Sequence, residues 1–232
     1  MMRSTPADVL RSLAFYAAFY TGSIFYVLGF FLAARLGEMP ARRVVRGWSR
    51  YHRACARWLL GMRVVVEGEM PNDGVLVAIK HESFFEAIDL PSLMDWPVPF
   101  PKAELARIPG WGAAAMRYGI VVVEREEGAK ALRAMVANAR HFAARGRPLA
   151  IFPEGTRVAH GTRGELQSGF AGVYKLLGLP VVPVAVDSGR LYHRRWKKPG
   201  VITVRVGERI EAGLPRKEVE ARVTEAINAL NR

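Results

Sequence analysis

The sequence predicts an α/β fold in which a largely parallel sheet is flanked by helices, preceded by an N-terminal two-helix membrane-binding element. Short runs of β-branched residues recur from residue 62 onward, and helix-like segments separate them. Ahead of them lie an uncharged apolar stretch and then an arginine-rich stretch. We therefore predict membrane-anchoring helices over residues 1–61 and an α/β domain over residues 62–232.

Composition sets limits on the class of protein. The 232 residues are enough for one substantial domain with an additional element, and 50% of them are hydrophobic, so a core is possible. A formal net charge of +13 favours anionic partners such as nucleic acid, phosphorylated ligands or an anionic membrane surface. The single cysteine, Cys55, excludes an intrachain disulfide, and no Cys/His spacing resembles a zinc site, so we predict no metal.

The first predicted helix is apolar on every side. The run from Leu13 to Ala34 carries no charge and is rich in Phe and Tyr. A helix of this length spans about 33 Å, close to the ~30 Å hydrocarbon core of a bilayer. Its composition favours lipid contact over burial in a soluble core. The run is long for the apolar part of a signal peptide, and no A-x-A cleavage site follows it.

The second predicted helix is basic, and Gly37 and Pro40 separate it from the first. Its arginines alternate with apolar residues at helical spacing, which favours a helix on an anionic membrane surface over a solvated helix packed on the main domain. By the positive-inside rule these arginines lie on the cytoplasmic side. A single span and a re-entrant hairpin both remain open. The arginines are Arg42, Arg43, Arg46, Arg50, Arg53 and Arg57.

Strands and helices alternate in the remainder of the chain. Strands are predicted at Arg63–Val66, Gly74–Ile79, Val98–Lys102, Ile120–Val123, Leu149–Phe152, Val181–Val186 and Val201–Val206. Helices are predicted at Phe84–Met94, Glu104–Tyr118, Gly128–Ala144, Phe170–Leu177 and Arg216–Leu230. In such folds functional residues gather where strands end and helices begin.

His81 directly follows a predicted strand, and Glu86 comes five positions later. A neutral histidine can take a proton from a hydroxyl, and a carboxylate on its other ring nitrogen fixes the tautomer. This requires His81 in a turn and Glu86 in the first turn of the following helix. The same residues allow a different interpretation, in which Ser83 and Glu86 form a capping box. Glu82 and Asp89 are rival carboxylates.

A second motif, Phe-Pro-Glu-Gly-Thr-Arg at residues 152–157, follows another predicted strand. Pro153 ends that strand and Gly155 permits a sharp turn. Arg157 can grip an anion through two hydrogen bonds. Lys102 and Arg125 also follow predicted strands, so three cations are candidates to meet at one anion, although each alone is also typical of a solvated surface charge.

Four sequence blocks in order, over roughly residues 75 to 190, resemble those of the glycerolipid acyltransferase superfamily and its bacterial lysophosphatidic acid acyltransferases. His81 to Glu86 matches an H-x4-D block with Glu in place of Asp, and residues 152–157 match F-P-E-G-T-R at every position. The stretches over residues 119–125 and 181–186 match the other two blocks, the first of them loosely.

The resemblance implies transfer of an acyl group from acyl-CoA or acyl-carrier protein to a lysophospholipid hydroxyl, giving phosphatidic acid in the commonest case. It implies that His81 is the general base and that Glu86 orients it. It assigns substrate binding to Lys102, Arg125, Glu154, Gly155, Thr156 and Arg157. It needs no bound cofactor, and it places the enzyme on the inner (cytoplasmic) membrane with its active site on the cytoplasmic face.

Two alternatives remain open at this point. One is the same chemistry on another lysolipid, such as a lyso-ornithine lipid. The other is a non-enzymatic basic protein that is anchored in the membrane and binds lipid, which explains the charge and the apolar run but not His81, Glu86 and the complete second motif. A nucleic-acid partner is not predicted, because no reader motif accompanies the charge.

Overall fold

The computed structural model describes residues 4–123 and 128–231, excluding the side chains of residues 128–131. Its helices are α1 (Pro6–Leu36), α2 (Glu38–Leu60), α3 (Phe85–Leu93), α4 (Ala103–Ala106), α5 (Trp111–Tyr118), α6 (Gly128–Ala143), α7 (Ser168–Leu177), α8 (Gly189–Tyr192) and α9 (Arg216–Ile227). Its strands are β1 (Met62–Glu67), β2 (Leu76–Ile79), β3 (Val98–Pro99), β4 (Leu149–Ile151), β5 (Val181–Val186) and β6 (Gly200–Val206).

The strands form one sheet in the order β1-β6-β5-β2-β4-β3. Each neighbouring pair is parallel except β5 and β6, which are antiparallel. Every residue of β2 and of β5 is buried, as expected for inner strands whose sequences are continuously apolar. The α/β fold with a largely parallel sheet is therefore confirmed.

One predicted strand, Ile120–Val123, is wrong. The segment runs beside β3, where the Val121 N–H donates to Pro99 O at 3.0 Å and the Val123 N–H donates to Pro101 O at 2.9 Å. Proline carries no N–H, so Pro99 and Pro101 cannot donate in return. The two segments therefore share only an isolated bridge between Lys102 and Val123, and β3 itself is shorter than predicted.

The predicted helix over Glu104–Tyr118 is two helices, α4 and α5. The break falls at Pro109–Gly110, where Gly110 has φ +73°, a left-handed conformation that glycine adopts without strain. The short helix α8, directly after β5, was not predicted from the sequence. With only four residues it offers no periodic pattern to detect.

The two N-terminal helices pack on each other and on the sheet. A capping box between Thr5 and Asp8 begins α1, and Gly37 separates the helices. Phe15 and Phe19 of α1 and Leu60 of α2 belong to the same buried cluster as Val77 and Ile79 of β2. Helices and sheet thus share a core, and the division near residue 62 into two domains stays a prediction.

Candidate active site

The turn after β2 brings the predicted base and its carboxylate together. His81 lies in that turn and Glu86 in the first turn of α3, and His81 Nδ1 is 3.1 Å from Glu86 Oε1. The His81 ring stacks on Phe152, with ring centroids 4.1 Å apart. The His81 side chain keeps 15% of its surface exposed, whereas Glu86 is fully enclosed. The geometric condition set by the five-residue spacing is met.

Glu86 also binds the backbone just ahead of α3, although the N-cap residue of this helix is Phe84 and no side chain caps it. Its Oε1 accepts hydrogen bonds from the backbone N–H groups of Glu82 (2.5 Å) and Ser83 (2.7 Å). Its Oε2 accepts from the hydroxyls of Ser83 (3.0 Å) and Ser188 (2.6 Å). The two interpretations of this motif are therefore compatible, because a single carboxylate both contacts the histidine and holds the turn.

These contacts favour the ionised form of Glu86. Burial opposes ionisation of Glu86, but the hydrogen bonds from His81, Ser188 and the Ser83 N–H outweigh it and lower the pKa of its carboxyl. An ionised carboxylate only accepts hydrogen bonds, so Nδ1 of a neutral His81 carries the proton. Nε2 of His81 is then unprotonated and can act as a base.

The second motif folds back onto His81. Gly155, at φ +64°, makes the turn after β4, and its N–H donates to Phe152 O at 2.9 Å. The Val158 N–H donates to His81 O at 2.8 Å. The loop that carries Thr156 and Arg157 therefore lies against the turn that carries His81, and both side chains are exposed there.

Glu154, by contrast, points inward. Its Oε1 accepts a 2.6 Å hydrogen bond from Lys80 Nζ, and both side chains are fully buried. Its Oε2 accepts the backbone N–H of His81 at 3.3 Å. Lys80 Nζ also donates to Asn228 Oδ1 (2.9 Å) and to Thr162 O (3.1 Å). This geometry makes Glu154 a positioning residue for His81, and contact of Glu154 with substrate stays a prediction.

The structure describes two of the three predicted phosphate-binding cations, Arg157 and Lys102. The Arg157 guanidinium lies over the Phe84 ring, 4.3 Å from its centroid. Lys102 is exposed where β3 ends, on the same edge of the sheet as the ends of β2 and β4. Arg125 lies outside the described residues. The meeting of these three cations at one anion therefore stays a prediction.

The rival carboxylates have other partners. Asp89 receives two hydrogen bonds from Arg53 of α2, at 2.5 and 2.7 Å. Glu82 accepts the Gly189 N–H at 2.8 Å, and its Oε1 is 3.0 Å from His160 Nδ1. Burial raises the pKa of Glu82. Within residues 4–123 and 128–231, neither carboxylate hydrogen-bonds to His81, which leaves Glu86 as the carboxylate in contact with it.

The sequence reasoning missed Lys80, Ser188 and the pair of Glu82 and His160. One signal existed for Lys80: it directly follows four apolar residues of an inner strand, where an unpaired charge is costly. Ser188 and His160 come from distant parts of the chain and gave no local signal. Within residues 4–123 and 128–231, no group of three or more His, Cys, Asp or Glu side chains is arranged to hold a metal ion.

The sequence of residues 62–187 matches the family model described as Acyltransferase, which is more than half of the chain. The chain belongs to the acyltransferase family. The matched region contains the sheet strands β1 to β5, the catalytic turn and the second motif. A non-enzymatic lipid-binding protein is therefore not the favoured interpretation.

Named relatives resemble this acyltransferase over most of its length. It is 28% identical to the 1-acyl-sn-glycerol-3-phosphate acyltransferase of Pseudomonas aeruginosa, over 88% of this chain and 82% of that protein. It is 26% identical to the alpha form of 1-acyl-sn-glycerol-3-phosphate acyltransferase from Mus musculus, over 83% of this chain and 70% of that protein.

The fold also matches a solved structure. The 1-acyl-sn-glycerophosphate (LPA) acyltransferase PlsC from Thermotoga maritima superposes with a TM-score of 0.75 at 21% identity. The match covers 96% of this chain and 93% of that chain, so it includes the two N-terminal helices as well as the sheet.

Proposed function

We propose that this acyltransferase moves a fatty acyl group from an acyl thioester to the free hydroxyl of 1-acyl-glycerol-3-phosphate, giving phosphatidic acid for phospholipid biosynthesis. The observation that carries the proposal is the contact between His81 and Glu86 beside the complete Phe-Pro-Glu-Gly-Thr-Arg turn. The relatives named for this reaction support the choice of acceptor. Acyl-CoA and acyl-carrier protein are the two candidate donors.

The side chains support a direct transfer without an acyl-enzyme. Nε2 of His81 removes the hydroxyl proton as that oxygen attacks the thioester carbonyl carbon. The tetrahedral intermediate collapses by breaking the carbon–sulfur bond, and the departing thiolate takes the proton back from the imidazolium. Glu86 remains ionised throughout and stabilises the imidazolium. Arg157, with Lys102 and Arg125, is proposed to hold the acceptor phosphate.

An acyl-transfer assay tests this function. We expect purified protein to convert lysophosphatidic acid to phosphatidic acid at least about tenfold faster than it acylates a lyso-ornithine lipid, since a lost charged hydrogen bond costs about 1.5–3 kcal/mol. Each acceptor is tested with both acyl-CoA and acyl-carrier protein as donors, and labelled products are separated by chromatography. A preference for the lyso-ornithine lipid would assign the same chemistry to the other acceptor.

The N-terminal helices are proposed to bind one face of the inner membrane. Helix α1 is the one helix in the described ranges that is long and apolar enough to cross a bilayer. Large apolar side chains are more than half exposed along it: Leu10, Leu13, Tyr20, Ile24, Phe25, Leu28, Leu32 and Leu36. On α2, the exposed arginines Arg43, Arg46, Arg50 and Arg57 recur at helical spacing and suit anionic head groups.

Contacts at both ends of α1 favour a re-entrant hairpin over a single span. Near the start of the helix, Ser12 Oγ accepts the Lys197 N–H at 2.8 Å. Near its end, Arg117 Nη2 donates to Ala34 O at 3.0 Å. A helix that crossed the ~30 Å hydrocarbon core would carry one end away from a domain lying on the other side. We therefore propose that α1 and α2 enter one leaflet and hold the active site at the cytoplasmic surface.

Charges placed on the exposed face of α1 test the membrane proposal. We expect the double substitution Ile24→Lys and Leu28→Lys to weaken binding to anionic vesicles at least about tenfold, because two apolar side chains no longer enter the lipid. Both side chains are exposed, 62% and 58%, so the unfolding temperature should change little. Cosedimentation with vesicles measures the binding.

Val65→Lys is the matched control, since Val65 is a 45% exposed apolar residue of β1. It should leave vesicle binding within about twofold of the wild-type value. Equal binding by the wild-type and the doubly substituted protein would refute insertion of this face.

A further inference from the structure

A basic cavity opens beside the catalytic turn, on the side of Phe84. It has a volume of about 300 Å³ and is bounded by the segment that follows α8. Phe84 and Tyr192 form apolar walls, and Arg157 is the one lining residue that the sequence motifs had singled out. The remaining lining residues are His193, Arg194, Arg195 and Lys197, so the described lining of the cavity has three arginines, one lysine and no carboxylate.

Lys197 is the unusual member of this set. Its side chain is buried, with 7% of the residue exposed, and Nζ donates to Tyr192 O at 2.9 Å. Its ammonium also lies 3.8 Å from the centroid of the Tyr192 ring. The described residues form no ion pair with Lys197, and desolvation lowers its pKa to about 8. Its ammonium contacts the carbonyls of Tyr192 and Arg194 and the rings of Phe15, Tyr16 and Tyr192 but no described carboxylate, so a bound anion would supply the missing counter-charge.

Hydrogen bonds to α1 hold residues 195–198, the segment that follows α8, in place. Besides the contact of the Lys197 N–H with Ser12, Tyr16 Oη donates to Arg195 O at 2.7 Å. Lys198 Nζ donates to Asp8 at 2.5 Å. Three contacts thus hold residues 195–198 against the first turns of α1, and the cations need little ordering on binding.

The cavity adjoins the reaction site. Phe84 lies between His81 and Glu86 in the chain, and the Arg157 guanidinium lies over its ring. Desolvation and then the charge of Arg157 lower the pKa of His193, while the charges of Glu86, Lys197 and His81 also act on it. An anion in this cavity would therefore lie near the catalytic pair.

We propose that His193, Arg194, Arg195 and Lys197 form, together with Arg157, a binding site for a phosphate group of one of the two substrates. This phosphate site rests on the proposed function, because that function supplies the two candidate substrates, the acyl donor and the acceptor. Guanidinium and ammonium groups are the usual protein ligands of phosphate. The phosphate comes either from the coenzyme A portion of the donor or from the glycerol-phosphate portion of the acceptor.

Equilibrium binding to the full-length protein in detergent tests the site without turnover. The probes are coenzyme A, glycerol 3-phosphate and inorganic phosphate, each titrated by calorimetry. We expect Lys197→Met to weaken binding of at least one organic probe about ten- to a hundredfold, the loss that follows from one charged hydrogen bond. Arg222→Met, on the exposed surface of α9, removes the same charge and should leave binding within about twofold.

The outcomes separate the two sources of phosphate. Weaker binding of coenzyme A alone assigns the cavity to the donor, and weaker binding of glycerol 3-phosphate alone assigns it to the acceptor. Arg195→Met, which alters an exposed side chain, repeats the test should Lys197→Met lower the unfolding temperature.

Unchanged affinity for both organic probes in both variants, or no binding of any probe by the wild-type protein, would overturn the proposal. The titrations measure binding without acyl transfer, so they do not depend on catalysis. A wild-type protein that binds these probes but does not acylate lysophosphatidic acid would therefore contradict the proposed function and not the binding site.

Discussion

Replacement of His81 by alanine is expected to lower kcat for acyl transfer about 10²–10⁴-fold, the usual contribution of a general base. The substitution removes the imidazole, whose Nδ1 lies 3.1 Å from Glu86 and whose Nε2 is proposed to take the hydroxyl proton. The fold should survive, because Glu86 still accepts hydrogen bonds from Glu82, Ser83 and Ser188. Initial rates at saturating donor and acceptor, together with the unfolding temperature, measure both effects.

His160→Ala is the matched control for this experiment. His160 resembles His81 in that its Nδ1 lies 3.0 Å from a buried carboxylate, that of Glu82. Its side chain is 19% exposed, against 15% for His81. If His81 is the base, His160→Ala keeps most of the activity. Near-normal turnover by a folded His81→Ala protein, or a larger loss in His160→Ala, would remove the base assignment from His81.

The strands and the catalytic turn were predictable because they depend on local sequence. Strands β2 and β5 are continuous apolar runs, and inner strands of a parallel sheet require that pattern. The spacing of His81 and Glu86 restricts them to a turn and the following helix. The prediction of a strand at Ile120–Val123 was wrong because strand pairing also depends on the partner segment. Two prolines there remove backbone N–H donors.

The role of Glu86 shows the limit of a single motif. The sequence is compatible with either an orienting carboxylate or a helix cap at this position. A carboxylate has two oxygens and about four acceptor sites, so one side chain satisfies both interpretations. The second oxygen of Glu86 also accepts a hydrogen bond from Ser188, in the turn after β5, at 2.6 Å.

Contacts between distant segments were beyond the sequence. Lys80 and Glu154 are separated by 74 positions, and Lys197 reaches Ser12 across 185. Lysine and glutamate are usually solvated surface residues, and it is the folded chain that shows how the buried Lys80 and Lys197 are paired. The cavity beside Phe84 went unpredicted for this reason, since three of its four cations, Arg194, Arg195 and Lys197, follow a helix of only four residues.

The buried pair of Lys80 and Glu154 is expected to have the largest effect on stability. Lys80→Met removes the ammonium and leaves the Glu154 carboxylate enclosed without its counter-charge. Breaking a buried pair from one side costs about 3–5 kcal/mol of the free energy of unfolding. Activity should fall as well, because Glu154 also binds the backbone N–H of His81. Urea unfolding followed by circular dichroism measures the free energy.

A double-mutant cycle separates the pair from the cost of each substitution. In Lys80→Met/Glu154→Gln no charge is left unpaired, so the double substitution should cost less than the sum of the two single substitutions by at least about 1 kcal/mol. The exposed pair Arg163 and Glu225 provides the comparison, and Arg163→Met should change stability by less than about 1 kcal/mol. A Lys80→Met protein no less stable than Arg163→Met would show that the catalytic turn does not depend on this pair, and would return Glu154 to the substrate-contacting role that its motif implies.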